Sequence, residues 1–266
     1  MSAVRLRPIP NRPILEILGS EESSGGLLAF ADLHLGLGAG ERRADGPPEA
    51  SSHRMVEGLL EVARERSAAG FVVAGDVKHP VVGTPRPLRP IIFDFFAGLL
   101  AEGYSVDLVL GNHDPGLVPH LPREVKVHSS KGAVLRGVGF FHGHRWPNKE
   151  LFSMERLVVG HLHPGYRLAP TPEASQSRHR CWVRVEYPPG WTPGGDRSKT
   201  RPKVRELVVL PAFNPLAGIE ALNHERPARF RTFLLRRFLN PGVSRAFLLD
   251  GTDLGTLLTT RPAARP

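Results

Sequence analysis

The sequence has very little cysteine and no long apolar run. Cys181 is the only cysteine among 266 residues, which excludes an intramolecular disulfide and a zinc site built from several thiolates. We expect Cys181 to be a small apolar side chain inside a strand. No apolar run approaches the roughly 18 residues that a membrane-spanning helix needs, and the first residues show no signal-like apolar core. These absences predict a cytoplasmic protein with no membrane partner.

Acidic residues are also scarce relative to basic ones, 26 against 35, and the net charge is +9. The excess lies in two segments: 178–205 holds eight basic and two acidic residues, and 226–237 holds five arginines and no acid. Clustered cations suit a nucleic-acid backbone because they release its condensed counterions on binding. Ordinary solvated loop charge explains the same pattern. Under the first explanation, four cations are candidate substrate contacts: Arg197, Lys199, Arg201 and Lys203.

Apolar runs alternate with amphipathic segments in the first half of the chain. Residues 27–31, 71–74 and 106–110 have the pattern of short buried strands. Between them, apolar residues recur at helical spacing over about 51–70 and over 91–101. This order predicts parallel strands in an α/β fold, whose functional sites lie at the carboxyl ends of the strands.

Shorter apolar segments at close spacing follow residue 122 and predict a second, mostly antiparallel sheet. These segments are 125–127, 133–141, 157–159, 181–185, 204–210 and 246–249. We assign residues 1–222 to one domain and 223–266 to a basic C-terminal extension that packs on it. The Pro- and Gly-rich segment 188–203 is the expected mobile tip of a hairpin in that domain.

Two apolar stretches in these regions have open interpretations. Phe230, Phe233, Leu234 and Phe238 fit one face of an amphipathic helix, which is more typical of core packing than of a partner-binding helix. Residues 216–222 fit a core segment and a homodimer surface equally well.

Five short polar clusters each follow an apolar run. They are Asp32-Leu33-His34, Gly75-Asp76, Gly111-Asn112-His113-Asp114, His142-Gly143-His144 and Gly160-His161-Leu162-His163. Any one of them is typical of a turn or a helix cap. Together they supply carboxylate, imidazole and amide donors without thiolate, a set preferred by manganese, iron and zinc. We expect two divalent cations, with manganese favoured, that share one carboxylate and activate water for attack on phosphorus.

In this order and spacing, the clusters resemble the calcineurin-like metallophosphoesterase superfamily over residues 27–165. Residues 160–164, 210–214 and 248–252 (Gly-His-Leu-His-Pro, Leu-Pro-Ala-Phe-Asn and Leu-Leu-Asp-Gly-Thr) further resemble the ligase-associated DNA-repair phosphoesterases of bacteria and their archaeal homologues. The resemblance implies an α/β fold, a four-layer α-β-β-α sandwich of two mixed sheets. It also implies DNA-repair proteins as partners.

The resemblance implies a role for each cluster residue. The implied metal ligands are Asp32, His34 and His163 for one ion, Asp76 as the bridge, and Asn112, His142 and His161 for the other. The implied catalytic residues are His113, which meets the phosphate and protonates or stabilises the leaving oxygen, and Asp114, which orients His113. His142 and His144 compete for one ligand position. We assign it to His142, which comes first after its strand, and give His144 a substrate contact.

Three functions fit these observations. The first is a binuclear metal-dependent phosphoesterase that acts on nucleic acid as a phosphodiesterase or nuclease. The second is a small-molecule or nucleotide phosphodiesterase or phosphatase, for which the basic segments are incidental. The third is a non-catalytic metal-binding scaffold, which would be marked by a missing ligand or a replaced His113. Neither mark occurs in this sequence.

Overall fold

The structure, a computed structural model, describes residues 4–19, 25–38, 48–167, 178–192, 202–223, 237–239 and 243–257. The helices and strands in chain order are β1 (Arg5–Pro8), β2 (Leu15–Leu18), β3 (Leu27–Phe30), α1 (Pro48–Glu65), β4 (Gly70–Val73), α2 (Leu88–Ala101), β5 (Ser105–Val109), β6 (Lys126–His128), β7 (Ala133–Leu135), β8 (Val138–Phe141), β9 (Arg156–Val159), β10 (Pro164–Arg167), β11 (Arg178–Glu186), β12 (Glu206–Val209), β13 (Glu220–Ala221), β14 (Ser244–Leu248) and β15 (Asp253–Thr256). Short 3-10 helices span Val118–His120 and Lys149–Ser153.

The first sheet has six strands in the order β1-β2-β3-β4-β5-β6. Strands β3 to β6 are parallel to one another, and β1 and β2 add an antiparallel hairpin at one edge. The segment 125–127 was predicted for the second sheet, and that prediction is wrong. The overlapping strand β6 pairs with β5, because the short connection after β5 returns the chain to the edge of the same sheet.

Both α-helices cover one face of the first sheet. Val56, Leu59, Leu60 and Ala63 form the buried stripe of α1, and the apolar face of α2 joins the same core. Helix α2 begins at Leu88, three residues before the predicted start. Pro90 therefore lies in its first turn, where a missing backbone N–H costs nothing because that N–H has no partner within the helix.

The second sheet has nine strands. Its main path is β13-β10-β11-β12-β9-β8-β7, and β14 pairs with β11 and with β15. Most pairings are antiparallel, as predicted, but β8, β9 and β12 run parallel to one another. This parallel group brings the carboxyl ends of β8, β9 and β12 to one edge of the sheet.

The two sheets pack face to face. Leu15, Ala29 and Val72 of the first sheet share a buried core with Phe140 and Trp182 of the second. Of the predicted four-layer α-β-β-α sandwich, the two mixed sheets are confirmed. Both α-helices in the described part of the chain lie on the outer face of the first sheet. Neither α-helix in the described part of the chain has the length and apolar character that crossing a bilayer requires.

The outer face of the second sheet has its own core. Cys181 and Val183 of β11 pack there with Phe152 and Phe238. Cys181 is fully buried, and burial raises the pKa of its thiol to about 12. Its apolar packing agrees with the role expected from the sequence.

Parts of the predicted domain organisation lie outside the described residues. These parts are most of the hairpin tip 188–203 and the helix residues Phe230, Phe233 and Leu234. Strand β14 belongs to the proposed extension 223–266, and five of its residues pair with β11. Within 216–222, Ala217 and Ala221 are buried in the chain's own core. The domain boundary and the homodimer stay predictions.

Candidate metal centre

The polar clusters converge because each follows the carboxyl end of a strand in a parallel group. Asp32 and His34 follow β3, Asp76 follows β4, and Asn112 follows β5. From the facing sheet, His142 follows β8, and His161 and His163 follow β9. Parallel strands end at a common edge, so loops far apart in sequence meet there. We call the seven residues Asp32, His34, Asp76, Asn112, His142, His161 and His163 the histidine-aspartate cluster.

The backbone of this cluster is held in an uncommon conformation. Asp32, His34, Asp76, His161 and His163 have φ between +42° and +71°, and they are five of the eight non-glycine residues with positive φ in the described part of the chain. Each such residue costs about 1–3 kcal/mol and persists only where its surroundings enforce it. Here a hydrogen bond between two loops supports the conformation, since the Asp32 N–H donates to Gly75 O at 3.0 Å. Concentrated strain of this kind is typical of functional sites.

One half of the cluster gathers around His163. His163 Nε2 lies 3.4 Å from Asp32 Oδ1 and 3.1 Å from His34 Nε2. His34 Nε2 in turn lies 3.9 Å from Asp76 Oδ2. Asp32, His34 and His163 could therefore hold one cation between them.

The other half gathers around His142. His142 Nε2 lies 3.1 Å from Asn112 Oδ1 and 3.2 Å from Asp76 Oδ2. His161 joins Asp76 and His142 to form a second group able to hold a cation. Because Asp76 Oδ2 lies near both His34 and His142, the Asp76 carboxylate stands between the two halves, where a bridging ligand is needed.

Hydrogen bonds fix which ring nitrogens face the cluster. The Nδ1 atoms of His142 and His163 lie 2.8 Å from Ala74 O and 2.9 Å from Gly218 O. A carbonyl oxygen only accepts, so each Nδ1 carries the proton and each neutral ring turns an Nε2 lone pair inward. Backbone contacts of this type orient histidine ligands in metal sites.

When the His142 and His163 rings are neutral, the form that binds metal, the inward-facing atoms are almost all acceptors. With His142 neutral, its Nε2 faces Asn112 Oδ1 and Asp76 Oδ2 at 3.1 and 3.2 Å without a proton to share. His34 Nε2 and His163 Nε2 meet in the same way at 3.1 Å. Lone pairs at such separations are stabilised by a positive charge between them, and a divalent cation supplies it. The donor set thus fits two metal ions, as predicted from the sequence.

The pKa values describe a site that favours positive charge beside Asp76. Burial opposes protonation of His142, but its hydrogen bond and attraction to Asp76 raise the pKa of His142 to about 9. Without a cation His142 is therefore protonated at pH 7, and a bound cation would take the place of that proton beside Asp76. Burial also opposes ionisation of Asp76, yet His142 and the His113 N–H hold the pKa of Asp76 well below its usual range. Burial lowers the pKa of His34 and His161 to about 4. These two rings are neutral at pH 7, the form that binds metal.

His113 and Asp114 differ from the predicted pair. His113 Nε2 lies 3.8 Å from Asp76 Oδ2, so the ring faces the cluster, but His113 Nδ1 contacts His79 O. The Asp114 carboxylate instead accepts backbone N–H groups of Gly111, Asp76 and Val77 at 2.7–3.0 Å. The expectation that Asp114 orients His113 directly is corrected: Asp114 joins the loops after β4 and β5.

His144 lies beside the cluster. Its ring centroid is 5.4 Å from that of His142 and 6.1 Å from that of His161. Burial lowers the pKa of His144 to about 4. The described groups able to hold a cation include His142 and not His144. Geometry therefore favours His142 over His144 as the ligand, and the substrate contact assigned to His144 stays a prediction.

The sequence interpretation missed two contributors. His79 stacks on His113, with ring centroids 6.0 Å apart, and its only signal was its position three residues after Asp76. Asn214 is buried, and its Nδ2 donates to Leu33 O at 2.9 Å. It clamps the loop that carries Asp32 and His34. The Leu-Pro-Ala-Phe-Asn motif contained this residue but did not reveal its contacts.

Of the four basic residues predicted as substrate contacts, the structure describes only Lys203. Arg197, Lys199 and Arg201 lie outside the described residues. Lys203 precedes β12, and its N–H donates to Phe152 O at 2.8 Å. The cluster lies beyond the other end of the parallel strands β9 and β12. Lys203 thus stands at the opposite end of the sheet, because a strand separates it from that edge.

Gly75 permits the close approach of His142. Its φ is +92°, and an added Cβ would lie 2.6 Å from His142 Cγ and 2.9 Å from Gly111 Cα. We expect Gly75→Ala to displace His142 and to lower both manganese content and thermal stability. Gly103→Ala is the matched control, since Gly103 has φ +83° with open space around the added Cβ. It should cost only the strain of about 1–2 kcal/mol and keep its manganese. Equal losses in both variants, measured by thermal unfolding and metal analysis, would argue against this packing.

Comparisons with known proteins support the fold. No protein-family model and no curated protein matches the sequence. Among solved structures, nuclease MPE of Pseudomonas putida is similar, with a TM-score of 0.54 and 18% identity over 94% of this chain and 100% of that chain. Yfce, a phosphoesterase from E. coli, aligns with a TM-score of 0.33 and 19% identity over 54% of this chain and 74% of that chain. The first likeness shows that the chain has the fold of that nuclease.

Proposed function

We propose that this protein is a metal-dependent phosphoester hydrolase that uses two divalent cations in the histidine-aspartate cluster. The observation that carries the proposal is the set of inward-facing acceptors, in which Asp76 Oδ2 lies 3.2 Å from His142 Nε2 and 3.9 Å from His34 Nε2. A site for one cation would not need a carboxylate between two donor groups. Paired cations neutralise the phosphate and generate hydroxide near neutral pH.

The chain's own residues would then position the substrate. His113 is a fifth exposed and faces Asp76, so it is accessible to a phosphate above the cluster. Its Nδ1 is tied to His79 O, which leaves Nε2 directed at the cluster. We propose that His113 Nε2 contacts the phosphate and stabilises or protonates the leaving oxygen. Asp114 supports this reaction indirectly by holding together the loops that carry Asp76 and His113.

Within this class, we propose a phosphodiesterase or nuclease that acts on nucleic acid with manganese as the metal. The net charge of +9 and the fold shared with a protein named a nuclease both support a nucleic-acid substrate. The carboxylate, imidazole and amide donors support manganese, with iron and zinc as alternatives. The motif resemblance supports a role beside DNA-repair proteins.

Metal-stripped protein, reloaded with manganese, tests the proposed reaction. We expect negligible hydrolysis of bis-p-nitrophenyl phosphate after treatment with a chelator, and recovery of turnover by at least about 100-fold with manganese. Parallel reactions with iron, zinc and magnesium would rank the metals. A panel of oligonucleotides and p-nitrophenyl phosphate would distinguish diester from monoester chemistry. Full turnover in the stripped protein, or none with any of these metals, would contradict the proposal.

A further inference from the structure

A cleft with three arginines opens beside the histidine-aspartate cluster. Its volume is about 320 Å³. Its walls include Arg12, Arg54, Arg180, Met55, Phe213 and Leu216. None of the described residues that line this arginine cleft is acidic. This cleft offers guanidinium groups and an apolar wall, whereas the histidine-aspartate cluster offers metal ligands. The two sites would therefore contact different parts of a ligand.

Four separate elements bring this cleft to the edge that holds the cluster. Arg12 lies in the turn between β1 and β2, and β2 pairs antiparallel with β3. Arg54 lies in the second turn of α1, the helix that follows β3. Arg180 lies in β11, which runs antiparallel to β12. Phe213 follows the carboxyl end of β12. Each element therefore reaches the edge at which β3 and β12 end.

Backbone hydrogen bonds join the cleft wall to the metal-ligand loop. Arg180 Nη1 donates to Phe213 O at 3.1 Å, and the Phe213 N–H donates to Ala31 O at 2.8 Å. Ala31 precedes Asp32 and pairs with Ala212. Paired strands lie about 5 Å apart, so the wall of the cleft is one strand away from the loop that carries Asp32.

Helix α1 presents one continuous side to the cleft. Ser51, Arg54, Met55 and Gly58 line it, and their spacing of three, four and seven residues places them on one helical face. Gly58 borders Arg12, whose Nη1 would be in ordinary van der Waals contact, 3.5 Å, with an added Cβ.

The charges of Arg12 and Arg180 are only weakly compensated by the contacts that follow. Arg12 Nη2 pairs with Glu61 at 2.8 Å, but both side chains are about half exposed, and exposed pairs contribute about 0–1 kcal/mol. Arg180 donates to two backbone carbonyls, Ala212 O and Phe213 O. Burial lowers the pKa of Arg180. An anion in the cleft would stabilise these guanidinium groups.

We propose that the arginine cleft binds the backbone phosphate of a nucleic-acid strand whose neighbouring phosphodiester lies at the histidine-aspartate cluster. Guanidinium groups bind phosphate oxygens through paired N–H donors. Met55, Phe213 and Leu216 offer an apolar surface to the attached nucleotide, as in sites that bind single strands. The proposal rests on the proposed function and assigns it a substrate class, a strand longer than one nucleotide.

Arg54 offers the clearest test because its side chain is exposed on a helix, so that Arg54→Gln and Arg54→Glu leave the core intact. Arg64→Gln is the matched control on the same helix, where Arg64 pairs with Glu102 at 2.9 Å. With manganese-loaded protein, we expect the ratio of kcat/KM for a 20-nucleotide single strand to kcat/KM for bis-p-nitrophenyl phosphate to fall at least about tenfold in Arg54→Glu. The slope of the logarithm of the oligonucleotide binding constant against the logarithm of salt concentration should become shallower by about 0.7 for each lost phosphate contact. Arg64→Gln should leave both quantities unchanged.

Binding of the labelled oligonucleotide in chelator separates the two proposals, because it needs no turnover. Suppose that Arg54→Glu and Arg180→Gln bind the oligonucleotide more weakly but the parent protein turns over no substrate. That result would support the proposed phosphate site in the cleft and overturn the proposed hydrolase function. Normal turnover with equal oligonucleotide binding and an equal substrate ratio in Arg54→Glu would overturn the cleft alone. If inorganic phosphate competes as well as the oligonucleotide, the cleft is a site for free anions and the assignment to a strand is wrong.

Discussion

Asp76→Asn should remove both cations and lower phosphodiester hydrolysis by about 1,000-fold or more. The Asp76 carboxylate is buried, and its Oδ2 lies between His142 and His34. An amide in its place removes one negative charge and turns an N–H donor toward histidine nitrogens that already face inward as acceptors. Both halves of the cluster should therefore lose affinity together.

Metal analysis after gel filtration measures this effect directly. The parent protein should carry two manganese ions per chain and Asp76→Asn fewer than one. Asp94→Asn is the control, because Asp94 is exposed on α2 and should keep both ions and full activity. Retention of one tightly bound ion in Asp76→Asn would show that the two halves are independent and that Asp76 does not bridge them.

His113→Ala should lower turnover by about 100- to 10,000-fold while the protein keeps its metal. His113 Nε2 lies 3.8 Å from Asp76 Oδ2. His113 forms a third possible ligand group with His34 and His79, but it is not in the two groups that contain an aspartate, which are the groups proposed to hold the cations. The expected loss is therefore in kcat rather than in manganese content. It should be greatest for substrates with a poor leaving group, because a good leaving group needs little help from an acid.

His53→Ala is the matched control for His113→Ala. His53 is exposed on α1 and pairs with the exposed Glu57, so its removal should change neither turnover nor metal content. Comparison of p-nitrophenyl and alkyl phosphodiesters in the two variants measures the dependence on the leaving group. Loss of an ion from His113→Ala would make His113 a ligand, and unchanged turnover would remove it from the mechanism.

Much of the fold and of the cluster was accessible from the sequence because one physical rule governs both. Buried parallel strands are continuous apolar runs, and polar residues directly after them mark the carboxyl edge. This rule located β3, β4 and β5 to within one residue and selected every member of the histidine-aspartate cluster. The prediction that the two sheets face one another came from the motif resemblance, because sequence periodicity does not show which strands face one another.

The remaining features depend on tertiary contacts that no local pattern encodes. Strand β6 is a three-residue strand at a sheet edge, too short to indicate which sheet it joins. The contacts of Asp114 depend on Val77, which is 37 residues away in sequence. Charge density along the chain drew attention to 178–205 and 226–237. Of the cleft arginines only Arg180 lies there, and Arg12 and Arg54 join it only in the folded protein.

The conformation of the cluster also bears on its function. Five strained residues at about 1–3 kcal/mol each are a considerable cost for a domain of ordinary stability. The loops after β3, β4 and β9 keep this strained conformation because hydrogen bonds from Asn214, to Asp114 and between backbone groups fix their positions. These contacts fix the loops that carry the donor atoms of the cluster.

Anomalous diffraction from a crystal grown with manganese tests the central claim most directly. We predict two anomalous peaks, one among Asp32, His34 and His163 and the other among Asn112, His142 and His161, with the Asp76 carboxylate between them. Their separation should be about 3.5–4 Å, as in other two-metal sites. Saturating manganese with no peak at these residues, or one peak away from Asp76, would contradict the account.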